Sequence, residues 1–317
     1  MTTGLSGDLR GAVVLVTGGA QGVGGAAARR AAEWGAAGVV ICGRDGAKGA
    51  QAAAAIETLG ARCRFVAADL AEADAPARVI AECDRAFGRL DGLVNAAALT
   101  ERAGLLDADA ALLDRMLATN LRAPFLLMQG AAQLMRRERR PGAMVNVLSV
   151  NAHCGLPELA AYSASKGGLA TLTRNAANSL APDRIRVNGI YLGWTDTPAE
   201  HEVQERESRY GADWLAHAAA SQPFGRLIDP EELADLIAFL LSRHAGVMTG
   251  ALIDYGQSVL AAAHESYDTA RRGTRGRVCV PVRGGMCAPD SPLLSLLRSR
   301  KRAWDIARQW DRRFTEA

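Results

Sequence analysis

The chain has 317 residues, 49% of them hydrophobic and 5% aromatic, with a net charge of +3. That length holds a large α/β core, and the apolar share excludes global disorder. The charge is uneven: from Ala261 onward 12 Lys+Arg face 6 Asp+Glu, and residues 1–260 hold 25 against 28.

In chain order, the β-branched run Val13–Thr17 predicts a buried strand, followed by an alanine-rich helix over Gly22–Gly35. A second strand is expected at Gly38–Cys42, a helix at Gly46–Leu59 and a third strand near Arg64–Ala67. Then come a helix at Pro76–Phe87, a strand in "LDGLVNAA", and helices around Ala108–Thr119 and Leu121–Arg137. "AMVNVLS" is the fifth strand, Tyr162–Leu180 a helix and "IRVNGIYL" the sixth strand. Pro198–Ser221 reads as a polar helical insertion, Pro230–Leu241 as a helix and "ALIDY" as a last strand. Such alternation predicts an α/β fold with a doubly wound, mostly parallel, Rossmann-like sheet. Residues 1–262 are expected to form one catalytic domain. Residues 263–317 form a basic extension, partly loop, with an amphipathic helix expected over 293–314. That helix would bind a partner or an anionic surface, pack on its own subunit, or stay loose.

Six scattered cysteines with no C-x-x-C give neither a zinc pattern nor a small disulfide scaffold. The start lacks a signal-peptide pattern and no apolar run reaches membrane-spanning length. A cytoplasmic protein is expected, with no metal and no membrane span. The basic tail comes with no recognisable nucleic-acid-binding module, so no nucleic acid is expected as partner.

Two stretches carry chemistry. "TGGAQGVG" (Thr17–Gly24) sits between the first strand and the first helix, where glycines let the backbone approach a pyrophosphate at a helix N-terminus. Without a ligand it is simply a tight turn. After the second strand, Gly43 stands where an acid would hold a ribose diol, and Arg44 follows. A guanidinium there fits a 2′-phosphate, so NADP(H) is preferred, with NAD(H) the alternative. In "AYSASKGG", Tyr162 and Lys166 are four residues apart on one helix face. An ammonium beside a phenol favours the phenolate and lowers its pKa.

These stretches, with Asp69 in "AADL", Asn95 in "VNAA", Asn120 in "TNL", Ser149 thirteen residues before Tyr162, and "VNGIYLGWTDTP" near Asn188, resemble the short-chain dehydrogenase/reductase family in order and spacing over about residues 8–260. The resemblance implies a catalytic set of Asn120, Ser149, Tyr162 and Lys166. Tyr162 would be the general acid/base and Lys166 would bind the nicotinamide ribose. Ser149 would hold the substrate oxygen, and Asn120 a water linked to Lys166. It implies cofactor contacts from Gly18, Gln21, Gly22, Val23, Gly24, Arg44, Asp69, Leu70, Asn95, Gly193, Thr195 and Thr197, besides Tyr162 and Lys166. Asn151, His153 and Trp194 are the substrate-facing candidates, under a lid at Pro198–Ser221. The chain departs from the family at Ala96–Ala98, Leu192 and Tyr255–Gln257, which touches the shape of the nicotinamide pocket.

The expected activity is interconversion of an alcohol and a carbonyl, on a small molecule such as a sugar or polyol. A 3-oxoacyl thioester reductase and a non-catalytic redox sensor are the other readings. The resemblance also implies a homotetramer or homodimer through the Tyr162 helix, where Gly167, Gly168 and Ala170 would allow close approach.

Overall fold

A computed structural model describes residues 8–208 and 210–258. The tail, with the helix expected over 293–314, lies outside the described residues. Seven strands form one sheet: β1 (Val13–Thr17), β2 (Gly38–Gly43), β3 (Arg62–Ala67), β4 (Gly92–Asn95), β5 (Gly142–Val147), β6 (Ile185–Leu192) and β7 (Leu252–Tyr255). Their spatial order is β3-β2-β1-β4-β5-β6-β7 and every neighbouring pair is parallel. The order reverses between β1 and β4, and such a switch point opens a crevice at the carboxyl ends of the strands.

β1 is buried on both faces, which is why it reads as a run of β-branched and apolar residues, whereas the edge strands β3 and β7 are partly exposed. Val14 and Val16 point into one core, with Ala27, Ala28 and Ala31 of α1 (Gly22–Glu33), Ile56 of α2 (Gly46–Glu57), and Leu233 and Ile237 of α9 (Pro230–Leu241). Val13 and Leu15 point into the other, with Val79 and Cys83 of α3 (Ala75–Phe87), Leu127 of α5 (Ala123–Arg137), and Ala176 and Ala177 of α6 (Ala160–Leu180). This is the period-two alternation of a pleated strand. The alanine faces of α1 and α6 let their axes lie close to the sheet.

α4 (Ala110–Leu117) passes into α5 through a π-helical turn, Ala118–Arg122, which carries Asn120. The insertion Pro198–Ser221 is two helices, α7 (Pro198–Glu207) and α8 (Trp214–Ser221). β3 begins two residues earlier than expected, at Arg62. Of the three small residues expected on the α6 surface, Gly168 and Ala170 pack within the chain itself. A Cβ on Gly168 would lie 3.1 Å from Leu121, and Ala170 is buried. No described helix is long and apolar enough to cross a membrane.

Candidate active site

A cleft of about 1740 Å³ runs along the carboxyl ends of β1, β2, β4, β5 and β6. Its floor begins at the loop after β1. Gly18 has φ +66°, a left-handed conformation that suits glycine. A Cβ on Gly24 would meet the Gly18 carbonyl oxygen at 2.4 Å, so only glycine lets α1 start this close to β1. The amides at the start of α1 are thereby brought to the cleft, a cradle that fits a pyrophosphate. Thr17 Oγ1 accepts from the amides of Ala96 and Ala97, both at 3.0 Å, tying this loop to the one after β4.

Of the expected cofactor residues, Gly18, Gln21, Gly22, Val23, Gly24, Arg44, Asp69, Leu70, Gly193, Thr195 and Thr197 line the cleft, as do Tyr162 and Lys166. Asp69 also accepts from the Ala71 amide at 2.9 Å, which shapes its own turn. Arg44 is exposed at the end of β2 and makes no ion pair with a described residue. Sequence reading misses Lys48, in the first turn of α2. Lys48 Nζ donates to Gln21 Oε1 at 3.2 Å and lies 3.6 Å from Glu202 on α7.

Asn95 does not line the cleft. It is 2% exposed, and its Nδ2 donates to Asn146 Oδ1 at 2.8 Å, while Asn146 donates to Thr173 Oγ1 at 2.9 Å. The register explains this: Asn95 stands directly opposite Asn146 across β4 and β5, so its Nδ2 is used inside the sheet, while its Oδ1 is buried without a partner.

The chemistry lies where β5, α6 and β6 meet. Ser149, Tyr162 and Lys166 line one wall of the cleft. Burial pushes the Tyr162 hydroxyl up, the neighbouring Ser149 hydroxyl pulls it down and the Glu200 carboxylate pushes it further up. Lys166 is 2% exposed and burial lowers its pKa to about 8. Its Nζ donates to the Val147 carbonyl at 2.7 Å and sits 5.9 Å from the centre of the Tyr162 ring. The two side chains share a helix face as expected. The lysine stem carries its ammonium past the ring to the β5 carbonyl, and the Ser149 hydroxyl is the neighbour that lowers the phenol.

Asn120 stands behind this wall and does not line the cleft. Its Oδ1 accepts from Leu99 N at 2.8 Å, and its Nδ2 lies 2.9 Å from the Leu99 carbonyl and 3.0 Å from Ser165 Oγ. Its amide therefore fixes the loop after β4 against α6.

Among the substrate candidates, Asn151 and Trp194 line the cleft. His153 does not: its ring packs 4.0 Å from that of Tyr191 and its Nε2 lies 3.3 Å from Asp254 Oδ1. The short 3-10 turn after Ser149 aims it at β7 instead. The lid adds Glu200, Gln204, Tyr210, Trp214 and His217, none of which the sequence marks out.

The family model described as enoyl-(acyl carrier protein) reductase matches residues 18–256. A solved structure described as a short chain dehydrogenase/reductase family protein superposes with a TM-score of 0.67 at 36% identity, covering 78% of this chain and 98% of that one. This chain belongs to the short-chain dehydrogenase/reductase family. Within that family it is 39% identical to cis-4-hydroxycyclohexanecarboxylate dehydrogenase of Sinomonas cyclohexanicum, over 76% of this chain and 93% of that one. It is 34% identical to an L-rhamnose 1-dehydrogenase (NAD(P)(+)) of Azotobacter vinelandii, over 77% of this chain and 95% of that one. As a short-chain dehydrogenase/reductase it is an NAD(P)-dependent oxidoreductase that interconverts an alcohol and a carbonyl.

Proposed function

We propose that the chain is an NADP(H)-preferring dehydrogenase or reductase acting on a hydroxyl-bearing carbon of a sugar or polyol. The observation that carries the reading is one cleft with a phosphate cradle and two cations, Arg44 and Lys48, at one end. At the other end stand Ser149 and Tyr162 under a polar lid. Bound nicotinamide supplies the hydride chemistry. Tyr162 moves the proton to or from the substrate oxygen, which Ser149 orients. Lys166 holds a buried charge below the tyrosine, positioned to hydrogen-bond the cofactor ribose.

Gly43 leaves no carboxylate at the end of β2 to oppose a 2′-phosphate, and Arg44 provides a fork suited to one. The polar lining, Asn151, Glu200, Gln204 and His217 beside Trp194 and Trp214, suits a hydroxylated ring. The rhamnose dehydrogenase relative is consistent with that class. Cytoplasmic residence and a homotetramer or homodimer complete the reading. Four described cysteines are unpaired, as in a reducing compartment, and Phe125 of α5 is 47% exposed.

Initial rates with sugars, polyols, diketones and 3-oxoacyl thioesters, each with NADP(H) and NAD(H), test this. Turnover of a polyol with NADP(H) is expected. NAD(H) winning would mean that Arg44 and Lys48 do not hold a phosphate, and thioesters winning would transfer the chain to acyl chemistry. Arg44→Ala should lower the NADP:NAD preference in kcat/KM by about tenfold, the worth of one charge-assisted contact.

A further inference from the structure

The lid places one carboxylate against the reacting corner of the cleft. Glu200 lies in the first turn of α7, where Thr197 caps the helix by accepting from the Glu200 amide at 3.2 Å. Its Oε1 accepts from Trp194 Nε1 at 2.8 Å and from Gln204 Nε2 at 2.7 Å. Its Oε2 has no hydrogen-bond partner among the described residues. The carboxylate is thus held from two sides on one oxygen, with the other left to the cleft, and Glu200 lines the same cleft as Tyr162.

The charges around it sharpen the point. The two arginines lining this part of the cleft, Arg102 and Arg115, are paired with glutamates: Glu158 at 3.7 Å and Glu101 at 3.1 Å. Glu200 has donors on one oxygen but no cation, and its field reaches the Tyr162 hydroxyl. A substrate with an anionic group near its reacting carbon meets repulsion there. A substrate with a neutral hydroxyl next to the reacting one meets an acceptor.

We propose that Glu200 is the specificity-determining residue of this enzyme: its Oε2 accepts a hydrogen bond from a second, neighbouring hydroxyl of the substrate, selecting neutral vicinal diols and sugars over monoalcohols and carboxylates. This rests on the polyol reading above and names the group that enforces it. A site built to receive a hydroxyl discriminates strongly against the analogue that lacks it. The Asn151 amide, on the same lining, is the second polar group available to orient the diol.

The test is kcat/KM of the full chain with NADP⁺ on cis-1,2-cyclohexanediol, cyclohexanol, 2-aminocyclohexanol and 2-hydroxycyclohexanecarboxylate. The wild type should favour the diol. Glu200→Ala should lower the diol:cyclohexanol ratio about tenfold or more, the worth of a hydrogen bond to a charged acceptor. Glu200→Gln keeps an acceptor oxygen for Trp194 and removes the charge, so it should raise the rate on the carboxylate substrate about tenfold. It carries the test if the alanine variant fails to fold. A wild-type preference for the diol that survives both substitutions would overturn the role of Glu200 while leaving the polyol class standing. No wild-type preference for the diol would overturn both. The amino alcohol outranking the diol would assign Glu200 to a cation instead. An unchanged rate of Glu200→Gln on the carboxylate substrate would also overturn the proposal.

Discussion

At the scale of single residues, Tyr162 and Lys166 each invite a measurement with a definite sign. Tyr162→Phe removes the proton carrier and should lower kcat by roughly 10²–10⁴-fold while cofactor affinity stays near wild type, read by fluorescence titration. Burial raises the tyrosine, so alcohol oxidation should keep accelerating as pH climbs through the alkaline range. Lys166 behaves in the opposite sense. Its folded pKa, about 8, lies below the ordinary 10.5, so the folded state binds its proton less tightly than the unfolded chain does. The cost to stability is complete below about pH 8 and fades as pH rises toward about 10.5. A shift of that size corresponds to about 3 kcal/mol. Lys166→Met should therefore be inactive yet melt at a higher temperature at pH 7, with the gain disappearing toward pH 10. A lower melting point at pH 7 would show that the bond to the Val147 carbonyl outweighs the burial cost. The pairing of these two residues is legible in the sequence because four residues make one helical turn, whatever surrounds them. The direction of the lysine charge is not, because it depends on a carbonyl of β5 nineteen residues earlier. Glu200 is hidden for a similar reason: in "AEHEVQERE" nothing local separates it from Glu202, which lines the same cleft but pairs with Lys48.

At the scale of elements, the strands and helices are readable nearly to the residue, since a two-sided sheet demands apolar runs and the helices between them start at Gly, Asp or Pro signals. α9 is an example: Asp229 caps it by accepting from the Glu231 amide at 2.9 Å, and Pro230 opens it. Removing that cap in Asp229→Ala should cost about 1 kcal/mol, measured in urea, without altering kcat. The loop between β1 and α1 is less forgiving. Gly24→Ala puts a methyl carbon into the Gly18 carbonyl, a backbone atom that cannot swing aside. Both melting temperature and cofactor affinity should fall, the affinity by at least about tenfold as the amide cradle opens. What the sequence hides at this scale is whether a polar side chain at a strand end turns to the cleft or along the sheet. Asn95 meets Asn146 across the ladder, and Asn146 is identified as its partner only by the strand register.

For the whole molecule, every described residue that lines the cleft lies between Gly18 and Ser258, and the family match ends at residue 256. A chain truncated after Ala262 should keep kcat/KM within about twofold; a larger loss would give the basic extension a part in catalysis. The sheet order has a further consequence, for biosynthesis. β1 lies inside the finished sheet, yet it is made before every other strand of that sheet, and its neighbour β4 begins only at Gly92. At ordinary translation rates that delay is about 4–15 s. Through it a largely apolar strand has one hydrogen-bonding edge uncovered, the condition in which nascent chains associate with one another. A ribosome-released fragment ending before Gly92 should therefore collect in aggregates unless a holdase shields its exposed strand edge.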